Sequence, residues 1–283
     1  MTVGRIYLSV DMEGLAGVAH PAQTWFEAGR MDRTDYDRSR GLMAGETNAA
    51  ITAALAAGAT EVVVNDSHWQ MRNLRAEDID PRARLIIGDK PYSMTTGIGH
   101  GMPFSAAVFV GYHAGAGHPT GIMGHTYSGA VVLGVRVNGI AHNETALNAL
   151  RLGQFGVPVA LVSGDDALAG EVAELLPWAE RVVVKRALGA TVADSLSPEQ
   201  AQAAIGEGVR RALGRLGEMQ LYAVTAPLRL EVDLRLPVMA DYAAVLPGVT
   251  KDGPRTVSVT AADPDSMYRW FVSILRLAAV PWA

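Results

Sequence analysis

The sequence contains no cysteine, which excludes disulfides, thiol nucleophiles and thiolate zinc sites together. Any metal must therefore be held by Asp, Glu and His. Concentrated charge is missing as well. The 29 acidic and 24 basic residues leave a net charge of -5 with no long run of either sign, which argues against nucleic acid or an anionic membrane as partner. Small molecules or peptides are the expected partners. No uncharged apolar stretch approaches a membrane span, and Met1 to Arg5 carry no basic region, apolar signal core or small-residue cleavage site. These absences lead to the expectation of a soluble, cytoplasmic protein. Internal repeats and low-complexity tracts are also absent. What is present is a core-forming chain: 49% of 283 residues are hydrophobic, enough for one large domain or two smaller ones.

The chemistry begins at Ser9-Val10-Asp11-Met12-Glu13-Gly14, where two carboxylates follow a short apolar run, Ile6 to Val10. Side chains alternate along an extended segment, so Asp11 and Glu13 point to one side and offer two hard oxygen donors to one point. Gly14 lets the chain leave the strand end sharply. Residues 20 to 40, with Trp25, Phe26, Arg30, Arg33 and Tyr36, suit a loop over the mouth of a site. A helix over about 37–57 ends at Gly58, and a β-branched strand over 61–65 completes a β-α-β unit with parallel neighbouring strands.

That second strand runs into Asn65-Asp66-Ser67-His68. Ligands of parallel α/β sheets bind beyond the carboxyl ends of strands, so topology puts His68 on the same edge as Asp11. The strand over 106–111 likewise ends in His113. Residues 114–129 hold five glycines together with His118 and His125. Gly115-x-Gly117 lacks the third glycine of a nucleotide cradle and Pro119 interrupts it, so a flexible active-site loop fits better, with backbone N–H groups facing a substrate carbonyl. Asn143-Glu144 opens a helix, where Glu144 serves either the helix terminus or a metal. Further elements follow as strand 159–163, helix 165–176 and strand 182–185. Beyond 188, helices and alternating strands without a histidine suggest a smaller α+β domain for packing, assembly or substrate enclosure. The expected organisation is a mixed, mainly parallel sheet flanked by helices over 1–187, followed by that domain over 188–283.

Asp11, Glu13, His68, His113 and Glu144 are too many donors for one tetrahedral zinc with an open position, and they suit two metals with Asp11 as the bridge. Together, Ser9 to Gly14, Val64 to His68, Gly111 to Ala114, Met123-Gly124-His125 and Asn143-Glu144 resemble the zinc-dependent D-aminopeptidases of peptidase family M55. The resemblance spans the whole α/β portion in order. It implies two Zn2+ per subunit, with Asp11 bridging, Glu13 and His113 on one ion, and His68 and Glu144 on the other. It also implies a catalytic His125 and a ring-shaped homo-oligomer, a decamer in the best-known member, whose sites face an internal channel. The segment between His113 and His125 is one residue longer than the family pattern and contains His118. On physical grounds His125 is better suited to carry a proton or donate to an oxyanion than to attack covalently. The expected activity is hydrolysis of the N-terminal residue of short peptides of D-amino acids. A binuclear metallophosphatase and a non-catalytic, metal-stabilised binding protein are the alternatives.

Overall fold

The computed structural model describes residues 3–27 and 32–280; Arg30 of the anticipated mouth loop lies outside them. The expected β-α-β unit forms from β1 (Arg5–Val10), α1 (Thr34–Ala56) and β2 (Glu61–Asp66), followed by β3 (Arg84–Ile86) and β4 (Ala106–Val110). Next come β5 (Val132–Val137), β6 (Ile140–Ala141) and α2 (Glu144–Gln154), then β7 (Val159–Asp165), α3 (Asp166–Leu175), β8 (Glu180–Gly189) and β9 (Val192–Ser195). The chain ends with α4 (Pro198–Gly214), β10 (Leu228–Leu234), α5 (Pro237–Ala243), β11 (Thr250–Lys251), β12 (Thr256–Ala261) and α6 (Pro264–Ala279). Helix α1 starts a turn earlier than expected and stops where expected, with Gly58 just past its end at φ +94.

One sheet of seven strands has the order β3-β2-β1-β4-β7-β8-β9, parallel throughout except for the β8–β9 hairpin. The second, of five antiparallel strands, runs β11-β12-β10-β5-β6. Alternation along β1 builds the layers of the first sheet. Ile6, Leu8 and Val10 join Met43, Ile51, Ile205 and Val209 of α1 and α4 on one face, while Tyr7 packs with Phe109, Leu152, Leu168 and Val172 on the other. The second sheet buries Val232, Val257 and Leu230 against Met239 of α5 and Phe271 and Ile274 of α6. Helix α2 serves both cores: Leu147 and Leu150 enter the second, Ala149 and Leu152 the first.

The two sheets exchange segments across the anticipated 187/188 boundary. Strand β5, which precedes it together with its hairpin partner β6, pairs with β10, whereas β9 and α4, which follow it, pack with β8 and α1. The cause is hydrophobic matching of faces that are distant in sequence: the Asn138-Gly139 turn, at φ +51 and +81, forms a hairpin whose partner is a late strand.

Gly14 proves necessary for a reason other than turning. A Cβ there would stand 1.8 Å from the Tyr112 carbonyl oxygen, because the turn after β1 lies directly on the backbone after β4, with the Gly14 N–H donating to Gly111 O at 2.8 Å. Gly14→Ala is expected to lower unfolding free energy by about 1–3 kcal/mol through overpacking, measured by urea denaturation of the metal-free protein.

Candidate metal centre

Strands β2, β1 and β4 are neighbours, so the turns beyond their carboxyl ends deliver His68, Asp11 with Glu13, and His113 to one place. Glu144 arrives from the first turn of α2, whose Asn143 cap accepts from the Ala146 N–H. His125 comes from the glycine-rich loop. The carboxylates and His68 and His113 are all buried, and the His125 side chain keeps 24% of its surface exposed. Asp11, Glu13, His68, His125 and Glu144 thus line a cleft of about 370 Å³ bordered by Trp25, Trp69, Met71, Tyr127 and Ala130, with His113 buried behind them.

Every imidazole is oriented in the same manner. His68 Nε2 meets the Thr24 carbonyl at 2.6 Å, His113 Nδ1 the Ala114 carbonyl at 2.9 Å, and His125 Nδ1 the Met123 carbonyl at 2.9 Å. A carbonyl only accepts, so each of these nitrogens carries the proton and the opposite nitrogen is turned to the centre. His68 Nδ1 faces Asp11 Oδ1 at 3.0 Å and Glu13 Oε2 at 2.9 Å. His113 Nε2 faces Asp11 Oδ2 at 3.6 Å and Glu144 Oε1 at 3.3 Å, and His125 Nε2 lies 3.8 Å from Glu144 Oε1. The His113 and His125 rings stack with centroids 4.1 Å apart.

Burial, and then the Glu13 charge, push the Asp11 carboxyl up to about 7. Burial alone would lower His113, but Glu144 and Asp11 outweigh it and raise the ring to about 10. His125 is held below its ordinary value by burial and by the neighbouring His113 charge. Crowded carboxylates and ring nitrogens therefore compete for protons, which is the donor chemistry a divalent cation satisfies. Glu13 Oε2 and His113 Nε2, both buried, meet only these ion-pair contacts and make no hydrogen bond of good geometry among the described residues. Among the described residues, Asp11, Glu13 and His113 form one donor set, and His113, His125 and Glu144 another, each with its atoms within 4.8 Å of one another. The donor types and the orphaned atoms fit zinc.

A family model described as D-aminopeptidase, Peptidase_M55, matches residues 5–273. The chain belongs to the M55 family of D-aminopeptidases. It is 36% identical over 281 residues to a D-aminopeptidase of Bacillus subtilis (strain 168), with 97% of both chains covered. A solved structure described as the Zn-dependent D-aminopeptidase DppA from Bacillus subtilis, a self-compartmentalizing protease, matches with a TM-score of 0.90 at 34% identity, again over 97% of each chain. The mixed, mainly parallel sheet with an added antiparallel sheet is thus the architecture of this M55 relative.

Other expectations change at this site. Several N–H groups of the glycine loop are spent within the protein, on the loop or on β7 and α3: Gly115 donates to Glu171, Ala116 to Thr126, Ile122 to Asp165, and His125 to the Ala114 carbonyl. His118 accepts from Gly121 N–H at 3.0 Å and caps its own turn. The Asn65-Asp66-Ser67 run is equally occupied, since Asp66 accepts from the Asn73 and Leu74 N–H groups and Ser67 bonds Ser9. Its polar side chains shape the His68 loop, which removes the support for a phosphate site.

Sequence reasoning missed the main-chain partners and one further side chain. Thr24, in an unpatterned loop, orients His68; Tyr127 donates its N–H to Glu144 Oε1 at 2.6 Å. Lys185, fully buried on β8, donates its ammonium to the Glu13 and Val18 carbonyls and so anchors the Asp11–Glu13 turn. A lysine ending an apolar strand was the available signal. Lys185→Met should destabilise the metal-free protein by about 1–3 kcal/mol, the scale for orphaned buried acceptors, and weaken zinc retention, read by denaturation and by metal analysis after dialysis.

Proposed function

We propose that the protein is a dinuclear zinc aminopeptidase that removes the N-terminal residue of short peptides, preferentially of D-amino acids. The observation that carries this reading is the set of three imidazoles, each tied to a backbone carbonyl, whose opposite nitrogens converge with three buried carboxylates at the floor of an open cleft. Asp11 would be shared between two ions, since its two oxygens face different histidines, Oδ1 toward His68 and Oδ2 toward His113. By the family resemblance Glu13 and His113 would hold one ion, and His68 and Glu144 the other. Bound zinc supplies Lewis acidity, polarising the scissile carbonyl and acidifying the attacking water.

The chain's own residues do the rest. Because Met123 O holds the proton on Nδ1, neutral His125 presents a bare Nε2 to the cleft. It can take a proton from the attacking water and then, as imidazolium, hand it to the leaving amine. The acidic cluster also suits the substrate's ammonium group, which makes a free amino terminus a requirement. A ring-shaped homo-oligomer with enclosed sites, as in the decamer implied by the resemblance, would limit substrates by size. The exposed Leu188 and Val192 of the β8–β9 hairpin offer apolar surface for such an assembly.

Zinc-loaded protein assayed in parallel on D-alanyl peptides, L-aminoacyl amides and a phosphomonoester tests the reading; turnover of the phosphomonoester alone would overturn it. Light scattering should give a mass several times that of the 29.9 kDa chain, and peptides of a few residues should be cleaved while a folded protein is untouched.

Asp11→Ala should lose well over one equivalent of zinc and all activity, whereas His68→Ala and His113→Ala each weaken mainly one position; two tightly held ions in Asp11→Ala would end the bridging assignment. His125→Ala should keep full metal content yet lose about two orders of magnitude in kcat, and His118→Ala should change little. Metal loss in His125→Ala would instead make His125 a ligand, as its proximity to Glu144 and His113 also permits.

A further inference from the structure

The cleft at the metal centre has a neighbour. It shares Trp69, Met71 and Tyr127 with a second cleft of about 390 Å³ that is also lined by Arg276, in the last turn of α6. Both volumes lie in the range that takes small ligands. The three shared residues hold φ values of +45, +54 and +60, a left-handed conformation that side chains other than glycine seldom adopt and that concentrates at ligand-binding surfaces. A backbone shaped at this expense in stability, at the junction of two clefts, points to a ligand that passes from one to the other.

Two cations line the second cleft, and only one is available. The Lys90 ammonium is buried and donates to Asn65 Oδ1 at 2.8 Å, to Ile86 O at 2.9 Å and to Asp66 O, which uses all its protons. Arg276 is exposed. Its protein hydrogen bond is a 3.3 Å contact from Nη2 to the Lys90 carbonyl, and among the described residues it forms no ion pair, although Asp89 lines the same cleft. Most of its N–H donors are open, and a guanidinium's planar fork matches a carboxylate in bidentate fashion.

We propose that Arg276 binds the C-terminal carboxylate of a short peptide whose N-terminal residue lies at the metal centre, so that this second cleft measures substrate length. The inference rests on the aminopeptidase reading and deepens it. Substrates with a free carboxylate one or two residues beyond the scissile bond gain the guanidinium contact, while longer or amidated peptides forgo it.

The test uses zinc-loaded wild type, Arg276→Gln and Arg276→Lys on D-alanyl-D-alanine and on the corresponding C-terminal amide. Arg276→Gln should raise KM for the free acid about tenfold or more with kcat nearly unchanged, leave the amide unaffected, and retain zinc content and assembly mass. Arg276→Lys should recover part of the loss. Equal effects on acid and amide, no effect on either, or a changed mass in light scattering would overturn the assignment while wild-type cleavage of the amide keeps the aminopeptidase reading intact. Failure of the wild type to cleave either compound would overturn both.

Discussion

The structure depends on burying Asp11, Glu13 and Glu144 against three imidazoles at the end of a closely packed sheet. Carboxylates of like charge removed from water repel one another and lose hydration, which is why Asp11 is driven up to about 7. Protons on the histidines relieve the strain in the absence of a cation, and a divalent ion relieves it more completely. Holding such a group together takes rigid surroundings. They are supplied by backbone-on-backbone contact of the Gly14 turn with Gly111 and Tyr112, by the Lys185 ammonium, and by the carbonyls of Thr24, Ala114 and Met123.

The second sheet is more than an appendage to that centre. Helix α2 carries Glu144 at its first turn and inserts into both hydrophobic cores. A chain of polar groups ties them further: Ser9 bonds the Tyr112 hydroxyl, Asn148 of α2 bonds Tyr112 and accepts from Tyr127, and Tyr127 meets Tyr268 of α6 at 2.6 Å. Arg151 of α2, also buried, pairs with Asp265 of α6 at 2.8 Å. Through these groups the position of α6 is coupled to the loop that orients Glu144, so the portion without a histidine shares in defining the cleft.

Tautomer control is the chemical consequence. A histidine left to solvent samples both neutral forms, and only one presents a lone pair to a given point. Here each ring has a carbonyl on the side away from the centre. The same device suits the roles proposed for the three rings, ligation by His68 and His113 and proton transfer by His125, and what distinguishes the rings is burial and the distance to the carboxylates.

The local rules read from sequence were sufficient for a large part of this molecule. Strand–helix alternation and the strand-end positions of Asp11, His68 and His113 made both the parallel sheet and the convergence of donors legible, because parallel crossovers put successive strand ends on one edge by topology. Asn143-Glu144 was readable as a helix start, and Asn138-Gly139 as a turn. Other features were decided only in three dimensions. Strand β5 pairs with the late β10 because pairing follows the matching of apolar faces, which sequence proximity does not encode. Carbonyl partners such as Thr24 O leave no trace in residue type, since every residue has a carbonyl. The role of Gly14 depends on a neighbour almost a hundred positions away, and the cleft lined by Arg276 depends on α6 lying against the segments that follow β2 and β3. Residue types and their spacing thus determined which donors exist and on which sheet edge they emerge; close packing of distant segments determined which atoms of those donors face one another and what lies beyond them.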